Sequence, residues 1–312
     1  MSRLQRGAAL ITALLVVALA TMLATQLAAR AYFDNARYST LLEREQALQF
    51  ALAAEAWASE VLIANREDGD GIDHLNELWA QPIVPPPFDD LPVQLRFQME
   101  DLQGRINLNN LVRPDGRDDE PAMANLLRLL QILELDPSIM PAAADWIDDN
   151  IEPRFPDGAE DDYYSRLDNP YRTANQRMAS PTELRLVRGV DDEAYRLLQP
   201  YITALPEATT INVNTAPPMV LRTLADGISE REAEALAEAR PADGYPSVTD
   251  FLQDPALAGR DVDPQTLSVG SNYFLLRTVV ELGRTEVRTE TVLYRADAGT
   301  SRVILRRQGF IE

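Results

Sequence analysis

The sequence predicts an α+β protein: one long N-terminal helix packed on a small antiparallel sheet, with a large all-helical domain interrupting that sheet. Three observations predict it. Between Gly7 and Gly69 there is no Gly and no Pro, which favours one unbroken helix. Apolar and polar residues alternate with period two around Val93–Met99 and again towards the C-terminus, as half-buried strands do. The long segment between these two regions carries helix-sized apolar patterns and no strand alternation.

The helix comes first. Gly7 through Ala29 form a run of 23 residues without a charge. At about 1.5 Å per residue such a run spans a bilayer. Arg3 and Arg6 precede it, so the positive-inside rule places Met1 on the cytoplasmic side. A cleaved secretory signal is the alternative, with small residues Ala28, Ala29 and Ala31 near its end, but secretory apolar regions are shorter, about 7–15 residues. Asp34, Arg37, Glu43 and Arg44 mark where the helix leaves the lipid. Beyond them Leu41, Leu48, Ala51, Leu52 and Leu62 form one apolar stripe, interrupted by Glu55.

Residues 65–92 are rich in Gly, Asn and Pro and read as a linker, with His74 as a surface or satisfied residue. Val93, Leu95, Phe97 and Met99 then alternate with polar residues. With Gly104 as a turn and Ile106 and Leu108 beyond it, they predict a hairpin. From Val112 to Gly270 the patterns are helical, and Ser180-Pro181-Thr182-Glu183 reads as a capping box. NYFLLRTVVEL, TEVRTETVLYR and RVILRRQGF, separated by turns near Gly283 and Gly299, predict the remaining strands, packed against the long helix.

Composition narrows the function. The net charge is −20, which repels phosphate backbones and argues against general nucleic-acid binding. All 29 basic residues are Arg. There is no Cys, which excludes disulfides and thiolate chemistry, and the single His makes a Ser-His-Asp triad improbable. INLNNL at 106–111 recurs as INVNTA at 211–216, and the segment after the second copy is similar to a DNA-binding helix-hairpin-helix. Its hairpin lacks the second Gly, and Asp226 and Asp191-Asp192 put carboxylates where phosphate would sit, so it reads as a packing unit.

The stretch DWIDDNIEPRFPDGAEDDYYSRLDNPYRTANQ, residues 145–176, holds nine carboxylates against three Arg, with aromatic residues interspersed. Oxygen ligands on a constrained loop suit Ca²⁺, which takes about six to eight oxygens. Asp148 and Asn150 have the alternate spacing that aims two side chains at one ion. Glu160, Asp161 and Asp162 follow Gly158, and Asn169 and Asn175 are neutral donors that could complete a shell. Asp149 and Asp157 are further possibilities. A solvated acidic face held by Arg pairs is the other reading of these residues. Paired carboxylates could serve acid–base chemistry, but no cleft is identifiable and no enzyme is predicted.

The N-terminus resembles that of type IV pilins and pseudopilins, on Arg6-Gly7 followed by Ala8-Ala9-Leu10-Ile11. The resemblance implies cleavage by prepilin peptidase between Gly7 and Ala8, with methylation of the new terminus. The family usually has Glu as the fifth mature residue, where this chain has Thr12. The absence of Glu there and the helical insertion are similar to the K-type minor pseudopilins of type II secretion systems. Under that resemblance the expected domains are a leader 1–7, a membrane-spanning half-helix 8–30, a periplasmic helix and first strands 31–111, an inserted helical domain 112–270 with sterile-alpha-motif-like units, and final strands 271–312. It implies one or two structural calcium ions in the acidic loop. It implies an inner-membrane protein with a periplasmic bulk at the tip of a short pseudopilus, helping to initiate its assembly. The implied partners are the I-type and J-type minor pseudopilins, with the H-type and major pseudopilins further candidates. A type IV minor pilin and a membrane-tethered DNA-uptake protein are the alternatives.

Overall fold

The computed structural model describes residues 3–68, 71–83, 85, 92–296 and 299–309, with side chains from Ile11 onward except at 67 and 68. Helix α1 (Arg3–Asp68) is continuous for 66 residues, roughly 100 Å of helix. Strand β1 (Val93–Asp101) follows the linker. The chain then enters the insertion: β2 (Ile106–Asn107), α2 (Glu120–Ile132), α3 (Ile139–Ile147), α4 (Asp161–Tyr164), α5 (Asp192–Leu198), β3 (Ile202–Thr203), β4 (Ile211–Asn212), α6 (Pro218–Leu221), α7 (Glu230–Glu238), α8 (Val248–Leu252) and β5 (Leu267–Ser268). It returns as β6 (Tyr273–Leu282), β7 (Thr285–Ala296) and β8 (Thr300–Gln308). The main sheet is antiparallel in the order β1-β6-β7-β8.

Three features differ from the sequence expectation. The expected hairpin does not form. Strand β1 pairs instead with β6, Val93 opposite Leu282 and Asp101 opposite Phe274. Gly104 sits in a 3₁₀ turn with its Cα against Thr215, and the chain crosses there into the insertion. Ile106–Asn107 pairs in parallel with Ile202–Thr203. The alternation past Gly104 misled because Asn107 and Asn109 are themselves buried. The second difference is the helix stripe. The buried face of α1 is Ala47, Ala51, Ala54, Ala58 and Leu62, while Leu41 is exposed and Leu48 and Leu52 are half-buried. Small side chains let the helix lie close on the sheet, against Phe97, Met99, Phe274, Val280 and Leu293. Glu55, beside that face, is paired by Arg306 of β8. The Ser180 segment is a 3₁₀ rather than an α-helix, with Ser180 Oγ accepting from Thr182 N.

The internal echo is structural. Asn107 Oδ1 accepts from Asn109 N, and Asn212 Oδ1 accepts from Asn214 N. Asn109 clamps the backbone of Met178 and Leu205, and Asn214 clamps that of Tyr245 and Val269. Each copy thus uses one buried Asn to turn the chain and another to tie in a distant loop, which satisfies polar groups in a dry interior. The helical hairpins use their acids locally: Asp191 caps α5, and Asp226 is held by Arg128.

A buried polar network seats the insertion on the scaffold. Asp101, at the end of β1, accepts from Gln103 N, Asn212 Nδ2, Thr215 Oγ1 and Ser271 Oγ. Burial pushes its pKa up to about 6, against the bonds from Ser271, Thr215 and Gln103, which lower it. Nearby Asp73 adds to the rise. The folded state therefore holds the Asp101 proton more tightly than the unfolded chain. Its contribution is fully favourable below the unfolded pKa near 4 and is lost as pH rises through 6. Relative to wild type, Asp101→Asn should gain about 2–3 kcal/mol of stability between pH 4 and pH 7. Urea unfolding of the detergent-solubilised chain at both pH values measures this. Parallel pH profiles for the two proteins would rule it out.

Candidate metal centre

The centre is built at the C-terminal end of α3. Asp145 and Asp148, three apart, lie on one side of the helix end. Between them Trp146 turns to the other side, edge-on to Tyr164 and Tyr171, which stack on each other. This aromatic wall closes the interior behind the carboxylates. The chain loops out and returns at Gly158, where a Cβ would overlap Asp145 Oδ2 and the Arg154 backbone, so only glycine fits. Glu160, two residues on, is brought back onto the helix end.

Asp145, Asp148 and Glu160 each offer an oxygen, and these oxygens lie within 4.8 Å of one another. All three residues are buried: 0%, 3% and 2% exposed. Asp145 also accepts from the Arg154 backbone at 3.1–3.2 Å, and Asp148 Oδ1 from Asn150 N at 3.0 Å. Glu160 Oε2 accepts from Thr173 Oγ1 at 3.0 Å, while its Oε1 is buried with no hydrogen-bond partner among the described residues. Burial raises the Glu160 pKa to about 7, and the fields of Asp145 and Asp148 add to the rise. Burial also raises Asp145, against its bonds to Arg154. An orphaned oxygen in a buried cluster of three acids fits a cation, and an all-oxygen donor set fits a hard one such as Ca²⁺.

Of the residues named from sequence, the structure brings Asp148 and Glu160 together. Asp161 lies alongside, its Oδ1 accepting from Thr173 N and Oγ1. Asn175 adopts a left-handed backbone, φ 45°, and its Oδ1 is buried without a partner among the described residues. Asn150 is exposed, with Oδ1 accepting from Glu152 N. Asp162 is exposed and faces Arg166, and Asn169 is exposed. Asp145 was not among the named ligands. Its signal was the three-residue spacing to Asp148 across a helix end.

The second functional feature is the first half of α1. From Ile11 to Leu42 every residue is exposed, including Leu14, Val17, Met22 and Phe33. The helix is long and apolar enough to cross a membrane. Thr12 is on its exposed surface. The backbone of Gly7 and Ala8 is helical, but their side chains lie outside those described.

Residues 104–207 and 211–270 match the two parts of the family described as Type II secretion system (T2SS), protein K. The Type II secretion system protein K of Pseudomonas aeruginosa is 35% identical over 99% of this chain and 94% of its own length. That of Aeromonas hydrophila is 32% identical over 98% of this chain and 97% of its own. Among solved structures, a chain of the GspK-GspI-GspJ complex from the enterotoxigenic Escherichia coli type 2 secretion system is similar. Its TM-score is 0.78 at 29% identity, covering 88% of this chain and all of that one.

Proposed function

Because the chain belongs to the protein K family of type II secretion systems, we propose that it is a structural subunit, the minor pseudopilin that caps the pseudopilus and helps start its assembly. The observation that carries this reading is the near full-length likeness to a chain solved in complex with its I and J subunits. The I-type and J-type minor pseudopilins are accordingly the proposed partners. The exposed apolar half of α1 first anchors the protein in the inner membrane, with Arg3 and Arg6 cytoplasmic and the sheet and insertion periplasmic. After cleavage between Gly7 and Ala8 the same surface packs on neighbouring helices. Thr12 offers no carboxylate to a subunit beyond it, and the wide insertion would crowd a helically stacked shaft. Both favour an end position.

Asp145, Asp148 and Glu160 hold a calcium ion in this reading, with Asn175 Oδ1 a further candidate donor. When bound, the ion supplies the positive charge that three buried carboxylates lack. The chain's own residues prepare the place: α3 presents two acids, Gly158 permits the close return, and Thr173 orients Glu160.

Tagged protein extracted from membranes of cells carrying the whole secretion system should bring down the I-type and J-type subunits together. Its intact mass should correspond to a chain starting at Ala8. Recovery of neither subunit from membranes that contain both overturns the assembly reading. A mass that retains Met1–Gly7 overturns the cleavage.

A further inference from the structure

The carboxylate cluster already contains a cation, supplied by the loop that surrounds it. Arg154 Nη1 donates to Asp145 Oδ1 at 2.7 Å and to Asp148 Oδ2. The other edge of the same guanidinium points outward: Nε and Nη2 donate to Asp118 Oδ1 at 3.0 and 2.6 Å. Asp118 is half exposed, whereas the side chains of Asp145 and Asp148 are fully buried. The guanidinium thus straddles the rim of the centre, one edge inside and one edge on a second carboxylate outside.

This arrangement leaves the centre short of charge. Three buried acids face one positive group. No hydrogen bond joins Arg154 to Glu160, whose Oε1 is 98% shielded with its residue and has no partner among the described residues. A divalent cation shared by all three acids supplies what the guanidinium does not. Nη1 of Arg154 lies against Asp145 Oδ1 and Asp148 Oδ2, so a cation that takes those two oxygens must occupy the place of that N–H group.

We propose that Arg154 is an internal counter-ion that exchanges with the metal: it holds Asp145 and Asp148 together in the metal-free protein and yields them when the cation binds. Asp118 makes the exchange easy. Arg154 keeps its outer bonds there and withdraws only Nη1. The Arg154 backbone N–H, which also bonds Asp145, belongs to the cradle and stays with either cation. The loop from Asp149 to Asp157 therefore stays tied to Asp118 and to Asp145 through Arg154 in both states, and loses only the inner Nη1 bonds when metal binds. The inference rests on the calcium reading, and the two can fail separately.

The test compares wild type with Arg154→Gln in the detergent-solubilised full chain, by calorimetric titration with CaCl₂ and by melting in chelator and in calcium. Arg154→Gln should bind calcium roughly tenfold more tightly, because no internal cation must be displaced. It should melt below wild type in chelator and at least as high as wild type in calcium. Equal or weaker binding by the variant, with wild type still binding, overturns the exchange and leaves the metal centre standing. A variant that is destabilised or unfolded even in calcium also overturns it, since Arg154 would then be needed beside the metal. Absence of calcium binding by both proteins removes the metal reading and the exchange with it.

Discussion

Arg295→Met is expected to destabilise the protein by about 3–5 kcal/mol, because it strands a buried carboxylate. Arg295 and Asp73 are 0% and 1% exposed, and Nη2 of Arg295 donates to both oxygens of Asp73 at 2.7 and 2.5 Å. The remaining bonds go to Ser271 O, Asn65 Oδ1 and Leu62 O, and the guanidinium lies over the Phe274 ring at 4.9 Å. One side chain of β7 therefore ties together the C-terminal turns of α1, the loop after it and the start of β6. Burial raises the Asp73 pKa, and the Arg295 charge opposes that rise. Without Arg295 the acid must either ionise unpaired or take up a proton, and both are unfavourable at neutral pH. The melting temperature should fall by roughly 6–20 °C at the usual conversion for a chain of this size. Asp73→Asn combined with Arg295→Met should recover a large part of the loss, since no uncompensated charge remains. A single variant that melts within about 2 °C of wild type would show that the pair does not join α1 to the sheet.

That joint was hard to see in the sequence, and the reason is physical. Asp73, Asp101 and Arg295 are lone charges without a local pattern, brought together from segments far apart in the chain. Periodicity reports the environment of a neighbourhood and says nothing about a single buried ion. The long helix was legible because it needs only the absence of Gly and Pro and an apolar run. Its buried stripe was placed correctly at Ala51 and Leu62 and missed elsewhere because leucine was weighted over alanine. The sheet selects Ala47, Ala51, Ala54 and Ala58 for closeness rather than for apolar area. The strands of the sheet were legible as strands, but the partner of β1 was not, since its pairing with β6 spans the whole insertion. In the acidic loop, composition pointed to the stretch in which Asp145, Asp148 and Glu160 converge. Asp145 was missed because an acid inside a helix reads as a solvated position until the loop is seen to fold back over it.

Removing calcium is expected to lower the melting temperature, because it leaves the buried acids of the loop short of positive charge. Three carboxylates with oxygens within 4.8 Å are retained in the interior, and Arg154 compensates two of them. An ion that binds only the folded chain stabilises it by RT ln(1 + [L]/Kd), about 3–4 kcal/mol at free calcium 100 to 1,000 times Kd. Chelator should remove that contribution, while the buried Arg154 pairs keep the chain folded at lower temperature. Asp148→Asn removes one ligand and one partner of Arg154, so its melting should be nearly insensitive to chelator. Matching the ionic strength with a monovalent salt should not restore the wild-type loss, because screening acts on exposed charges and these acids are buried. Superimposable melting curves with calcium and with chelator would reduce the cluster to an acid site neutralised by Arg154 alone. A response to calcium that Asp148→Asn leaves unchanged would place the ion elsewhere in the acidic loop. In either case the insertion would owe its shape to Arg154 and the aromatic wall of Trp146, Tyr164 and Tyr171. The expected result makes the ion part of the fold, in a domain whose acidity otherwise opposes its own compaction.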